Sequence, residues 1–318
     1  MKILVTGGSG FIGTNLIDFL ISQNHALLNV DVEPPLNKNH TPLWKNIDIR
    51  NQDHLSEVIK AFQPENIIHL AARTDLDGKK ITDYDANTIG TLHLINAANQ
   101  VNSINRIIFA SSMLVCKIGY VPKDFLDYNP NTPYGESKVE MEKIIYNTPI
   151  NADWTIIRPT SIWGPYFKEP YRNFFDLVLK GLFIHPGNRA CTKTYGYIGN
   201  SVHQICQLMV ADKEKIHSNC FYIGDSPPIQ ISEWADEIKF IHTNKQNLKS
   251  PYFVFVLLGF LGDILKVIGI KFPMTSFRLK NMTINNIINL EHLNKVTGKN
   301  PYSRAEGIKE TLNWLNKK

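Results

Sequence analysis

Residues Thr6 to Gly13 read Thr-Gly-Gly-Ser-Gly-Phe-Ile-Gly, directly behind a short apolar run at 3–5 and ahead of helical spacing over 13–23. Glycines at 7, 10 and 13 permit a tight turn, a close approach of backbone to a ligand, and a helix packed hard on a strand. A helix starting there turns its free N–H groups and positive dipole end toward whatever lies above the turn, which suits a pyrophosphate. Strand, glycine loop and helix in this order predict a dinucleotide-binding unit, with Gly7, Gly10, Phe11, Ile12 and Gly13 against the cofactor.

The rest of the first half fits such a unit. Apolar runs at 27–30, 67–70, 107–110 and 155–157 read as buried strands, and helical spacing fills 53–62, 86–100 and 136–146 between them. Alternating strands and helices predict an α/β fold, a doubly wound parallel sheet of the Rossmann kind. After Arg158-Pro159 the pattern changes: 166–186 is aromatic and irregular, and 231–318 is mostly helical. We therefore expect a dinucleotide-binding domain from 1–159 and 197–225, and a smaller, mostly helical substrate domain from 160–196 and 226–318.

Asp31 ends the second apolar run, 18 residues after Gly13, where a carboxylate accepts ribose hydroxyls and repels a 2′-phosphate. NAD is favoured, Glu33 adds to the preference, and Arg50 offsets it enough to leave NADP open. Asp48 and Ile49 are placed to meet adenine, with a helix-capping Asp48 as the alternative.

Tyr134 and Lys138 are four apart, so both project from one face of a helix. A phenol is a poor base at neutral pH, but a neighbouring ammonium and a positively charged cofactor ring favour its phenolate. Lys138 is also placed to hold the cofactor. The pair Ser111-Ser112 closes the strand at 107–110, where a hydroxyl can bond a reacting oxygen and share the proton path of Tyr134.

The net charge is +5 with no block of basic residues, which leaves no case for nucleic-acid binding. The cysteines at 116, 191, 206 and 220 lack metal or disulfide spacing, so no metal is expected and a reducing cytoplasm is. A strand beginning at residue 3 leaves no room for a leader. Residues 252–262 are uninterruptedly apolar, aromatic or Gly, too short a run to span a bilayer. It reads as a buried or dimer-forming helix, or as an interfacial one, since Lys245, Lys249, Lys271, Arg278 and Lys280 flank it.

Together these residues resemble the NAD-dependent epimerase/dehydratase family, extended short-chain dehydrogenases acting on nucleotide sugars. The resemblance rests on the glycine loop, Asp31, Asp48, His69-Leu-Ala-Ala72, Asn87-x-x-Gly-Thr91, Ser111-Ser112, Tyr134/Lys138 and Arg158-Pro159…Gly164-Pro165. It implies Ser112 as the triad hydroxyl, with Leu70, Ala71, Ala72, Arg73 and Pro159 lining the cofactor or its substrate edge and Asn87 supporting the site. It also implies a homodimer through helices near 86–100 and 136–146.

The departures carry information. Where dehydratases of the family hold an Asp-Glu pair, this chain has Met113 and Leu114, so 4,6-dehydration is not expected. Cys116-Lys117 replaces a Tyr-Gly, and Ser161 replaces a substrate-binding Asn. Lys193 replaces an Arg that grips a diphosphate, which keeps the charge and loses the fork. Arg278 is a second candidate diphosphate contact. The C-terminal part is similar to a branch found in surface-polysaccharide synthesis, some members of which act on polyprenyl-diphosphate-linked sugars. The expectation is a 4-epimerase on a diphosphate-linked hexose in the cytoplasm, at the inner membrane face if 252–270 is interfacial. A 4-ketoreductase is the alternative; a cofactor-binding regulator and a membrane steroid dehydrogenase are more distant ones.

Overall fold

The computed structural model describes residues 1–317 apart from 170, 188–190, 268, 271 and 273, and gives only the backbone at 277, 278, 281 and 282. Ile3, Leu4 and Val5 are fully buried, as are Ile67, Ile68, Ile107, Ile108 and Phe109. Strands apolar on both faces have to be covered on both faces, and these lie at the centre of a parallel sheet.

The first half runs β1 (Lys2–Thr6), α1 (Phe11–Ser22), β2 (Ala26–Asp31), β3 (Trp44–Asn46), α2 (Gln52–Phe62), β4 (Asn66–His69), α3 (Asp85–Ala98), β5 (Arg106–Ala110), α4 (Pro133–Asn147) and β6 (Asp153–Pro159). Short elements follow: β7 (Ser161–Trp163), α5 (Tyr171–Leu179), β8 (Ile184–Pro186), β9 (Thr192–Lys193) and β10 (Tyr195–Tyr197). Then α6 (Ile198–Val210), α7 (Lys213–Ile216) and β11 (Asn219–Ile223) return to the sheet. The chain ends with β12 (Ile229–Gln230), α8 (Ile231–Thr243), β13 (Leu248–Ser250), α9 (Tyr252–Val267), α10 (Ser276–Thr283), α11 (Glu291–Thr297) and α12 (Arg304–Asn316).

The main sheet has seven strands in the order β11-β6-β5-β4-β1-β2-β3, and every pairing is parallel. The fold is thus the doubly wound α/β architecture with a helical C-terminal region. Alternate residues along each strand feed different layers. Ile3, Val5, Ile68, Ile108 and Ile157 pack with Leu16, Leu20, Ile205 and Leu208 on one face. Leu4, Ile67, Ile107, Phe109 and Ile156 pack with Leu55, Ile59, Leu94 and Met141 on the other. β3 was not apparent from the sequence: three half-buried or exposed residues at an edge carry no apolar run.

Between the sheet and the C-terminal helices lies an aromatic cluster. Trp163 and Trp234 have ring centroids 5.2 Å apart, Phe174 stacks on Trp234 at 4.9 Å, and Tyr197 lies 5.1 Å from Trp163. This cluster fixes β7, β10, α5 and α8 relative to the sheet.

One buried ion pair joins α4 to β6. The Arg158 guanidinium donates from Nε and Nη2 to both carboxylate oxygens of Glu142, at 2.9 and 2.6 Å, and both side chains are fully buried. Arg158 also donates to the Phe125 carbonyl and the Tyr222 hydroxyl, and the Tyr128 hydroxyl donates to Glu142. Removing one partner strands a buried charge. Glu142→Ala should therefore cost about 3–5 kcal/mol of unfolding free energy in a urea titration, and a loss below ~1 kcal/mol would show that the pair is not holding α4.

Candidate active site

Gly7, Asp31, Leu70, Ser111-Ser112 and Pro159 lie at or just past the carboxyl ends of β1, β2, β4, β5 and β6, along one edge of the sheet, whose strand order reverses between β1 and β4. That crevice is where open α/β sheets bind ligands. The glycine loop is pressed into it. A Cβ at Gly7, which has φ +72°, would stand 2.5 Å from the Ala71 nitrogen, and one at Gly13 2.4 Å from the Gly7 carbonyl oxygen. No side chain caps α1 and no acidic residue occupies its first turn, so the helix start is left to a ligand. The surroundings thus fit a dinucleotide pyrophosphate.

Asp31 ends β2 beside this loop. Its carboxylate accepts the Ser9 N–H at 3.0 Å and the Glu33 N–H at 3.0 Å, and burial raises its pKa. The Arg50 guanidinium pairs with Asp48 at 2.6 Å. Asp48 does not cap α2; Asn51 does, accepting the His54 N–H at 3.2 Å. Ile49 is buried against Gly90 of α3.

Leu70, Ala71, Ala72 and Arg73 leave the end of β4. The Leu70 N–H donates to the Thr6 carbonyl at 2.9 Å and the Ala71 N–H to the Thr6 hydroxyl at 3.2 Å. His69 beneath them is fully buried and its pKa is pushed down to about 3 by burial, so it is neutral. Thr91 gives its hydroxyl proton to the Asn87 carbonyl; the His69 Nε2 therefore donates to Thr91 and its Nδ1 accepts from Thr6. The histidine is a structural strut between β1, β4 and α3. Asn87 is likewise committed: it accepts the Arg73 N–H and donates to the Arg73 carbonyl and the Ser137 hydroxyl. The Arg73 side chain pairs with Asp75 at 2.7 Å and lies over the Tyr84 ring.

α4 begins where Thr132 accepts the Gly135 N–H at 3.0 Å and Pro133 occupies the first turn. Only glycine fits at 135, since a Cβ would meet the Leu114 carbonyl oxygen at 2.3 Å. That close approach brings Tyr134 and Lys138 against the loop after β5. Ser112 caps the single turn Met113–Val115, accepting the Leu114 N–H at 3.1 Å. Burial pushes the Tyr134 phenol up to about 12, and the Ser112 hydroxyl bonded to it pulls the other way. Lys138 is buried, donates to the Ala110 carbonyl at 2.8 Å, and is pushed down to about 7 by burial, with Glu142 opposing. The Tyr84 ring, 5.9 Å from that of Tyr134, forms one wall.

Ser161 lies on β7 and accepts a hydrogen bond from Tyr171 at 2.6 Å. Lys193 lies on β9, where burial lowers its pKa. Pro159 ends β6 opposite Ile223. The Arg278 side chain and Lys271 lie outside the described residues. Cys116 is buried, and its thiol donates to the Asp127 carbonyl. Lys117 borders a cavity of about 250 Å³ shared with Met113, Tyr120 and Asn286.

Three features were missed by the sequence reasoning. Glu142 sits one turn after Lys138, and only its burial reveals its importance. Tyr84 carries no motif. Asn286 reaches back from beyond α10, donating its N–H to the Thr192 carbonyl and accepting the Thr194 and Gly119 N–H groups. No local signal could have found it. Among the described residues there is no cluster of His, Cys, Asp and Glu fit for a metal.

Asp31→Ala should narrow the ratio of NAD to NADP dissociation constants by about tenfold, since one repulsive charge is removed; an unchanged ratio in a fluorescence titration would remove Asp31 from the specificity role.

The model of the NAD dependent epimerase/dehydratase family matches residues 3–186. The N-acetyl-α-D-glucosaminyl-diphospho-ditrans,octacis-undecaprenol 4-epimerase of Escherichia coli O157:H7 is 27% identical, over 98% of this chain and 95% of its own. A 3β-hydroxysteroid dehydrogenase/Δ5→4-isomerase of Mycobacterium tuberculosis is 27% identical over 74% of this chain and 67% of its own. The structure of UDP-glucuronic acid 4-epimerase from Bacillus cereus in complex with NAD superposes with a TM-score of 0.76, at 20% identity over 100% of this chain and 97% of that one. The chain belongs to the NAD-dependent epimerase/dehydratase family, and NAD is its cofactor.

Proposed function

We propose that this chain is a sugar 4-epimerase acting on a hexose carried by a diphosphate, on either a nucleotide or a polyprenyl chain. The observation that supports the proposal is the bonded pair Ser112 and Tyr134 with Lys138 one turn further along α4. Ser112 is bonded to Tyr134, and Lys138 is held by the Ala110 carbonyl at the end of β5, while the neighbouring Met113 and Leu114 offer no second acid or base. One acid/base at one carbon supports reversible oxidation there and not elimination of water. A relative that matches this chain end to end is a 4-epimerase, whereas the steroid dehydrogenase match covers about three-quarters of it.

In this reading Gly7, Gly10, Phe11, Ile12 and Gly13 receive the pyrophosphate and Asp31 the adenosine ribose. Asp48 and Ile49 flank adenine, and Leu70, Ala71, Ala72 and Pro159 line the cleft, with Asn87 holding that loop to α4. NAD, when bound, supplies the redox partner for carbon 4 and a positive charge that favours the phenolate. Tyr134 removes the proton from the 4-hydroxyl and returns it. Ser112 bonds the same oxygen and passes its hydrogen bond to Tyr134. Lys138 holds its ammonium below Tyr134, where it stabilises the phenolate once that forms. Ser161, Lys193, Arg73 and Arg278 are assigned to the sugar and its diphosphate. A homodimer through α3 and α4 belongs to this reading: Ile89 is exposed, and Leu92 and His93 are half-buried one turn further along α3. So does a cytoplasmic location, at the inner membrane face for a lipid carrier.

Purified protein should interconvert the C4 epimers of UDP-N-acetylglucosamine or of undecaprenyl-diphosphate N-acetylglucosamine with no added reductant, as read by NMR. Tyr134→Phe should lower turnover about a thousandfold or more while mass spectrometry of the denatured protein still finds NAD or NADH. If the variant loses its nucleotide together with turnover, Tyr134 is structural and the assignment fails.

A further inference from the structure

α9 is amphipathic in the reverse sense to a helix of a soluble protein. Its protein-facing side is marked by Phe255, Gly259 and Gly262, which are its buried residues. A Cβ at Gly259 would stand 3.2 Å from the Ser276 nitrogen, so the glycines let α9 lie flush on the start of α10. Phe253, Val256, Leu257, Phe260, Leu261, Ile264 and Val267 are all exposed, Phe260 by 64% and Leu257 by 63%. Their spacing of three and four residues places them in one stripe along the outside of the helix. Leu248 and Ile184, paired across β13 and β8 where α9 departs, are exposed as well.

The charge around the stripe decides what it fits. Residues 238–290 contain seven Lys or Arg and one acid, Asp263, a net of +6 against +5 for the whole chain. Asp263 is the one acid of the segment, and its carboxylate accepts the Ser276 N–H at 3.2 Å. Lys245 and Lys249 are exposed ahead of α9, and Lys266 and Lys280 are exposed toward and beyond its end. A second copy of the chain docking face to face would bring like charges together around the stripe. An anionic lipid surface satisfies both features, taking the apolar side chains into the acyl boundary and the lysines into the headgroups. Sixteen residues extend about 24 Å, short of the ~30 Å hydrocarbon layer, so the helix lies along the surface. Among the described residues no helix is long and apolar enough to cross a membrane.

We propose that the exposed face of α9, with the exposed Lys245 and Lys249 ahead of it, docks this protein on a bilayer of anionic phospholipid. The surface does not depend on the epimerase reading, and its test needs no turnover. Purified protein is floated with vesicles containing phosphatidylglycerol or phosphatidylcholine alone, at low and high salt. It should float with the anionic vesicles at low salt, and partition about tenfold or more less well into neutral ones. Leu257→Glu with Phe260→Glu should leave it unbound, with bound nucleotide and circular dichroism unchanged. Lys245→Glu with Lys249→Glu, two exposed changes, should weaken anionic binding about tenfold, and decides the matter alone if the first variant misfolds. Failure to float at low salt, or flotation indifferent to the lysine variant, overturns the proposal. An oligomer in vesicle-free buffer that the Leu257/Phe260 variant breaks, without vesicle binding, would assign the face to a second copy instead.

Discussion

The reversal of strand order between β1 and β4 is the constraint on which everything functional here depends. Because those two strands are neighbours while their connections leave in opposite directions, a crevice opens above them. Gly7 has to pass within contact of the Leu70–Ala71 backbone to line that crevice, which is why its side chain is absent and its φ is positive. The Thr6–His69–Thr91 chain of hydrogen bonds then fixes β1, β4 and α3 beneath it. A neutral imidazole suits this place, since it both donates and accepts without bringing a charge into the core.

What the sequence discloses is what acts locally. Short apolar runs, the glycine loop and the spacing of Tyr134 and Lys138 are short-range patterns, and the elements that carry them lie within a few residues of their expected limits. β3 escaped because an exposed edge strand needs no apolar signature. The Glu142–Arg158 pair escaped for another reason: a glutamate at that spacing on α4 reads as solvated until β6 and the loop carrying Phe125 close over it. Asn286 contacts Gly119 across 167 residues of chain, a separation over which no sequence pattern carries information.

The apolar run at 252–262 illustrates the same limit from the other side. Composition alone says that such a helix avoids water, and burial in the protein is the ordinary way to do so. The glycines at 259 and 262 reverse that expectation, because they are the side on which the helix meets α10. The bulky residues are left outside by elimination. Hydrophobicity locates the segment; the position of its smallest residues determines which way it faces.

The electrostatics of Tyr134 and Lys138 follow from the same packing. Tyr134 and Lys138 are both buried deeply enough that the protein alone favours their neutral forms, the phenol at about 12 and the lysine at about 7. The nearest compensating anion is Glu142, one turn along α4, but both its oxygens are already held by Arg158. A free carboxylate there would fix the ammonium permanently and draw it away from Tyr134. Shared with a guanidinium, Glu142 raises Lys138 only partly and leaves the centre responsive to the charge that arrives with an oxidised nicotinamide. The ion pair that anchors α4 in the fold thus also sets how much of the Glu142 charge reaches Lys138.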